Sequence, residues 1–183
     1  MVECMLVAVS YTHLDVYKRQ LPSGAIVGAE ALIRWNHPKR GLVMPDQFIW
    51  VAESSGLIVQ IGAWMLTTAC KEFEALTRGV AGEALGLSVN LSTRQLGDPL
   101  LVDTVHRALE ESGLDAGRLT LEITESAVMD DVPNTFRVLS ELRRFGVKIA
   151  IDDFGTGYSS LSLLSEIPVD TIKICLLYTS RCV

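Results

Sequence analysis

Five segments of this 183-residue chain repeat one arrangement, and that repeat restricts the fold more than any single motif does. In each, aliphatic residues alternate with small or polar ones, the period of a β-strand whose successive side chains take opposite faces. From Ile26 to Trp35, Val27, Ala29, Ala31, Ile33 and Trp35 share one face, and Gly28, Glu30, Leu32 and Arg34 share the other. Leu87, Val89 and Leu91 oppose Ser88, Asn90 and Ser92, and Leu119, Leu121 and Ile123 oppose Thr120, Glu122 and Thr124. Val147, Ile149 and Ile151 oppose Lys148, Ala150 and Asp152, and in Thr171-Ile172-Lys173-Ile174 the lysine opposes two isoleucines. Each segment carries its polar functional group near the carboxyl end. The step from Asn90 to Glu122 is 32 residues, from Glu122 to Asp152 is 30 and from Asp152 to Lys173 is 21. Such steps match one unit of an eight-unit β/α barrel of roughly 250 residues.

A sheet with one face in water would show the same alternation, so the connections decide between the two. Pro45-Asp46 opens a helix that Gly56 closes, and Ile58, Ile61, Met65, Ala69, Phe73 and Leu76 mark a longer one. Asp98-Pro99 precedes a helix carrying Leu101, Val102, Val105 and Leu109 up to Gly113, and Val138, Leu139, Leu142 and Phe145 mark another from Asn134 to Gly146. Helices between the strands cover the aliphatic faces and turn the polar ends toward a common interior. The expected fold is therefore α/β, an incomplete TIM-type (β/α)8 barrel with about five recognisable strands. Trp64 and Met65 are assigned to its core and His106 to its surface.

With 49% hydrophobic and 21% charged residues the chain is globular rather than disordered. A net charge of −6, with basic pairs only at Lys39-Arg40 and Arg143-Arg144, argues against a nucleic-acid polymer as partner but not against a small anion bound through metal. No apolar run is long enough for a membrane segment, and Met1 to Val9 lacks a basic leader, so a cytoplasmic location is expected. The four cysteines share no C-x-x-C spacing, which argues against a zinc site or disulfide framework and favours buried or incidental thiols.

Chemistry concentrates in Val147 to Tyr158, V-K-I-A-I-D-D-F-G-T-G-Y, where a strand ends in two acids and a glycine-bearing loop. Asp152-Asp153 is either a solvated turn or a cation site, since adjacent buried carboxylates repel unless cations lie between them. Glu30, Asn90, Glu122, Asp152 and Asp153 together form an oxygen-only set, which suits Mg²⁺ or Mn²⁺ better than zinc or copper. The number of carboxylates allows two ions, which can clamp the attacking and leaving oxygens of a phosphodiester. Lys173 could hold or deprotonate the attacking water, and Arg34 could pair with a phosphate oxygen.

E-A-L-I-R-W at Glu30 to Trp35, S-V-N-L-S at Ser88 to Ser92, L-E-I-T-E at Leu121 to Glu125, I-D-D-F-G-T-G-Y-S-S-L at Ile151 to Leu161 and I-K-I at Ile172 to Ile174 resemble, in order, the motifs of the EAL domain family of cyclic di-GMP phosphodiesterases. The resemblance runs from about Leu21 to Ile174. It implies a barrel in which two Mg²⁺ or Mn²⁺ ions activate a water that opens cyclic di-GMP to linear pGpG. Glu30, Asn90, Glu122 and Asp152 would bind metal, Asp153 would bind metal or orient the water, Lys173 would serve the water, and Arg34 would contact a phosphate. The loop from Phe154 to Ser160 resembles the segment by which the family links dimerisation to the metal site, with Glu125 as its anchor, so a homodimeric parent domain is expected.

The family's opening strand would precede Leu21, and its last two strands, with a further glutamate and a glutamine, would follow Ile174. Residues 1–20 and 175–183 instead resemble translated adapter sequence and are set aside, leaving 21–174 as a partial domain. On that reading the strands at Ile26–Trp35 and Thr171–Ile174 become open edges, and the chain itself should be marginally stable with little activity. A receptor that holds cyclic di-GMP without cleaving it is the alternative function, and a different metal-dependent barrel acting on another phosphorylated substrate is a third.

Overall fold

The computed structural model describes residues 2–10, 26–79, 85–155 and 167–174. Residues 175–183, the second half of the segment 1–20 and the loop beyond Gly155 lie outside the described residues. The elements are strands β1 (Val2–Ser10), β2 (Ile26–His37) and β3 (Gly41–Val43), then helices α1 (Pro45–Ser55) and α2 (Leu57–Thr77). Strand β4 (Gly86–Leu91) leads to α3 (Thr93–Leu96) and α4 (Leu101–Ser112), and β5 (Leu119–Thr124) leads to α5 (Glu125–Asp130) and α6 (Val132–Arg144). Strands β6 (Lys148–Phe154) and β7 (Thr171–Ile174) complete the order.

The sheet runs β1-β2-β4-β5-β6-β7, with β3 folded back on β2. Pairs from β2 to β7 are parallel, whereas β1 and β3 are antiparallel to β2. The chain is thus an α/β, incomplete TIM-type barrel. All five expected strands are present, and two more accompany them. β3 forms because the turn after His37 is held from within: His37 Nδ1 accepts from the Lys39 and Arg40 backbone N–H groups at 3.0 and 3.2 Å.

The expectation of an open edge at Ile26–Trp35 fails. β1 pairs along β2 from Val2 opposite Trp35 to Val9 opposite Gly28. The physical reason is that Val2–Ser10 is rich in valine and other apolar residues, which suit a pleated half-buried surface, and β2 otherwise has free N–H and C=O groups on that side. Cys4 of this strand packs against the main core. At the other side of the sheet, β7 is the last strand of the order among the described residues.

The aliphatic faces enter one core, with Leu87, Leu119, Leu121 and Ile149 fully inaccessible and Leu66, Ala69, Val105, Leu139 and Leu142 brought by the helices. Each fully buried aliphatic side chain contributes about 1.5–3 kcal/mol, which is what fixes this face inward. The glycine at 56, with φ of 79°, ends α1 and turns the chain into α2. Trp64, assigned to the core, and Leu76 and Phe145, placed on apolar helix faces from spacing, are instead 40%, 67% and 48% exposed. Leu76 and Phe145 lie in or just past the last turns of their helices, and Trp64 lies beside the buried Met65 and Leu66 that meet the sheet. No helix among the described residues is long and apolar enough to cross a membrane.

Candidate active site

Register brings the polar residues together. Asn90 and Glu122 are direct partners across β4 and β5. Glu30 pairs with Ser88, two residues before Asn90, and Asp152 pairs with Thr124, two residues after Glu122. Offsets of two preserve the face, so Glu30, Asn90, Glu122 and Asp152 form a diagonal line on the side away from the helices. A diagonal of this kind is what tilted strands of a barrel produce. Asn90, Glu122 and Asp152 lie toward the carboxyl ends of their strands, where barrels of this type place their chemistry, and Glu30 lies in the part of β2 that pairs with β4.

The line divides into contacts. Asn90 Nδ2 donates to Glu30 Oε1 at 2.9 Å, so its carbonyl Oδ1 is the atom left to meet a cation. Glu122 is 1% exposed, and Oε1 lies 2.5 Å from Lys173 Nζ. Apart from that ion pair, neither Glu122 oxygen receives a hydrogen bond among the described residues. A buried carboxylate oxygen in that condition costs roughly 1–3 kcal/mol or more, and such an atom calls for a functional explanation.

For Lys173 the largest single influence is burial, which works to lower its pKa. The hydrogen bond and charge of Glu122, then the charges of Asp152 and Glu30, together outweigh it, and the pKa rises. Lys173 is therefore an ammonium at neutral pH. So held, it can donate hydrogen bonds to a water or to a phosphate oxygen.

Asp152 and Asp153 sit in a feature that the sequence does not reveal. Ile151 pairs with Ile172 and Phe154 with Ile174, so two residues of β6 stand against Lys173 alone. This is a β-bulge, a device that re-aims side chains beside active sites. Asp153 has φ of 54°, the single non-glycine residue with positive φ among those described, and its backbone N–H donates to Asp152 Oδ1 at 2.9 Å. β6 continues through both acids to Phe154, so the pair sits in a strand irregularity and not in the loop that follows.

Glu125, 4% exposed at the start of α5, accepts from the Gly155 N–H through Oε2 at 2.8 Å and so ties β5 to the beginning of the loop after β6. Arg34 is not brought to the carboxylates: Nη1 donates to the Ile33 carbonyl at 2.8 Å, and Arg34 makes no ion pair among the described residues. No three His, Cys, Asp or Glu side chains form a ready metal cage among the described residues. The expected five-residue oxygen set stands instead as a Glu30–Asn90 pair, a Glu122–Lys173 pair and the Asp152–Asp153 bulge.

Helix α3 escaped the sequence reading although its signal was present. Ser92 and Gln95 form a reciprocal capping box, Ser92 Oγ accepting from Gln95 N at 3.3 Å and Gln95 Oε1 from Ser92 N at 3.1 Å. It and α5 follow β4 and β5 directly and contact each other beside the site.

The EAL domain family matches the chain over residues 18–181. The chain belongs to the EAL domain family. Within it, the chain is 46% identical over 155 residues to the "Cyclic di-GMP phosphodiesterase NbdA" of Pseudomonas aeruginosa, covering 84% of this chain and 20% of that protein. It is 45% identical over 153 residues to the "Bifunctional diguanylate cyclase/cyclic di-GMP phosphodiesterase MucR" of the same organism, covering 84% and 22%. The chain thus spans about a fifth of the length of these curated relatives. Among solved structures, "PaMucR Phosphodiesterase, c-di-GMP complex" superposes with a TM-score of 0.83 at 40% identity, covering 94% of this chain and 66% of that one. The family match takes in residues 18–20 and 175–181 in addition to the 21–174 span outlined by the motifs. The diagonal from Glu30 to Asp152 therefore lies inside the EAL domain match.

Proposed function

We propose that this EAL domain hydrolyses cyclic di-GMP to linear pGpG in the presence of Mg²⁺ or Mn²⁺. The observation that carries the reading is Glu122, a fully buried carboxylate whose oxygens take no hydrogen bond among the described residues beyond one lysine ion pair, on a face shared with Glu30, Asn90 and Asp152. An all-oxygen donor set with an orphaned buried oxygen fits a hard divalent cation. Glu30, Asn90, Glu122 and Asp152, with Asp153, would hold two such ions. The ions supply Lewis acidity and a water of lowered pKa.

The chain's own residues do the rest. Lys173, as an ammonium, orients the attacking water and steadies negative charge on the phosphate. Arg34 swings from the Ile33 carbonyl to a phosphate oxygen, a bond stronger than the one it gives up because its partner is charged. Glu125 holds the Gly155 end of the loop so that Asp153 keeps its place in the bulge. The named ligand of the superposed phosphodiesterase supports the choice of substrate. The domain acts in the cytoplasm, in keeping with the free thiols Cys4 and Cys70 among the described residues.

The test is to incubate residues 1–183 with cyclic di-GMP and either Mg²⁺ or Mn²⁺ and follow pGpG by chromatography. The expected result is slow, chelator-sensitive product formation that Glu122→Gln removes. Saturable binding of cyclic di-GMP with no turnover would favour the receptor alternative. Neither binding nor turnover would sink both.

A further inference from the structure

Lys173 has a second place in this site besides the water. Its ammonium lies 2.5 Å from Glu122 Oε1, on a carboxylate whose side chain is 0% exposed and which has no other donor among the described residues. Asp152 and Glu30 add to the negative potential at the same ammonium. The lysine side chain is 35% exposed whereas that of Glu122 is 0%, so one partner can leave and the other cannot. Lys173 stands at the β7 position opposite the Asp152–Asp153 bulge, where β6 and β7 are not in regular register and backbone pairing is locally broken.

We propose that Lys173 is a resident counter-charge that occupies the place of a cation at Glu122, and that divalent metal binds by displacing it. This rests on the metal-dependent reading above and deepens it: the residue that serves the water becomes available only when metal has taken Glu122. The exchange is a swap of partners with no covalent step. Glu122 gives up the ammonium and gains the divalent ion, and Lys173 turns its stem outward, as an amphipathic lysine does, keeping its charge in water or on the substrate phosphate. The lysine is in this sense a gate on metal affinity. It keeps the buried carboxylate compensated in the metal-free protein and lowers the affinity for metal in return.

The experiment measures Mn²⁺ binding to residues 1–183 from the free-ion electron paramagnetic resonance signal at fixed pH and ionic strength, with no substrate present. Wild type is compared with Lys173→Met, which keeps the stem without charge, and Lys173→Arg, which keeps the charge. Thermal melts with chelator and with saturating Mn²⁺ accompany the titrations. Displacement requires that Lys173→Met bind the first Mn²⁺ at least tenfold more tightly than wild type. It also requires a lower chelator melt and a larger Mn²⁺-induced rise, with Lys173→Arg close to wild type in both. A Lys173→Met protein that folds only when Mn²⁺ is added gives the same answer in its strongest form. Unchanged or weaker Mn²⁺ binding by Lys173→Met, beside normal binding by wild type, overturns the displacement and leaves the metal reading intact. A wild-type chain that binds no Mn²⁺ overturns the metal reading itself, and this proposal with it.

Discussion

Glu122 and Lys173 form one ion pair, but its two ends are unequal, and replacing Glu122 by methionine exposes the difference. At 2.5 Å the attraction is about 7 kcal/mol with an effective dielectric constant of about 20. Against it stand a desolvation penalty of several kcal/mol for a carboxylate with 0% side-chain exposure, and roughly 1–3 kcal/mol for an oxygen without a hydrogen bond among the described residues. These nearly cancel. Methionine then contributes about 1.5–3 kcal/mol of apolar burial and can follow the shape of the cavity. The freed lysine is 35% exposed and retains Asp152 and Glu30 nearby, so no buried charge is stranded. Glu122→Met should therefore stabilise the metal-free chain by about 1–2 kcal/mol, or a rise in Tm of roughly 2–8 °C, while abolishing pGpG formation. Urea unfolding in chelator, with a parallel activity assay, measures both. A loss of 1 kcal/mol or more would refute the claim that this carboxylate is held against a net cost.

Three further outcomes follow from other contacts. Arg118→Ala should cost about 2–4 kcal/mol in denaturant unfolding, because the guanidinium donates to the Leu85 carbonyl, to Glu74 and to Thr77 at 3.0, 3.1 and 2.6 Å and lies 5.1 Å from the Phe73 ring centroid; a change under 1 kcal/mol would contradict this. Gly62→Ala should cost about 1–2 kcal/mol, since its Cβ would stand 1.9 Å from Gln95 Nε2 and displace half of the α3 capping box, with far-ultraviolet circular dichroism and melting as the check. The Cys70 thiol is pushed up from 9.0 to about 12, by burial first and by Cys4 second. The native state then keeps a proton that the unfolded chain loses, so this contribution is intact below about pH 9 and falls by about 1.4 kcal/mol per unit as pH rises toward 12. Cys70→Ala compared with wild type in urea at pH 8 and pH 10 should show the wild type losing more stability, and equal losses would count against it.

What the sequence by itself determined is what backbone geometry makes local. Alternation at Leu87–Leu91 or Leu119–Ile123 decides which residues are buried because a strand has only two faces, and those residues are 0–5% exposed. The parity of Glu30, Asn90, Glu122 and Asp152 placed them together on the opposite face for the same reason, and the five motifs carried the family. Even α3 was announced by Ser92 and Gln95, three residues apart.

Tertiary structure decided whatever depends on one segment meeting another. β1 covers the edge of β2 because unpaired backbone groups take any apolar strand within reach, a fact that no residue of Ile26–His37 encodes. The bulge at Asp152–Asp153 exists only as a mismatch against β7, and counting residues on one strand cannot show it. Glu122 and Lys173 are 51 residues apart in the chain, and their ion pair requires β5, β6 and β7 to be laid side by side. Periodicity gives each strand its faces, but register is a relation between strands. The charge balance of this site is set by register.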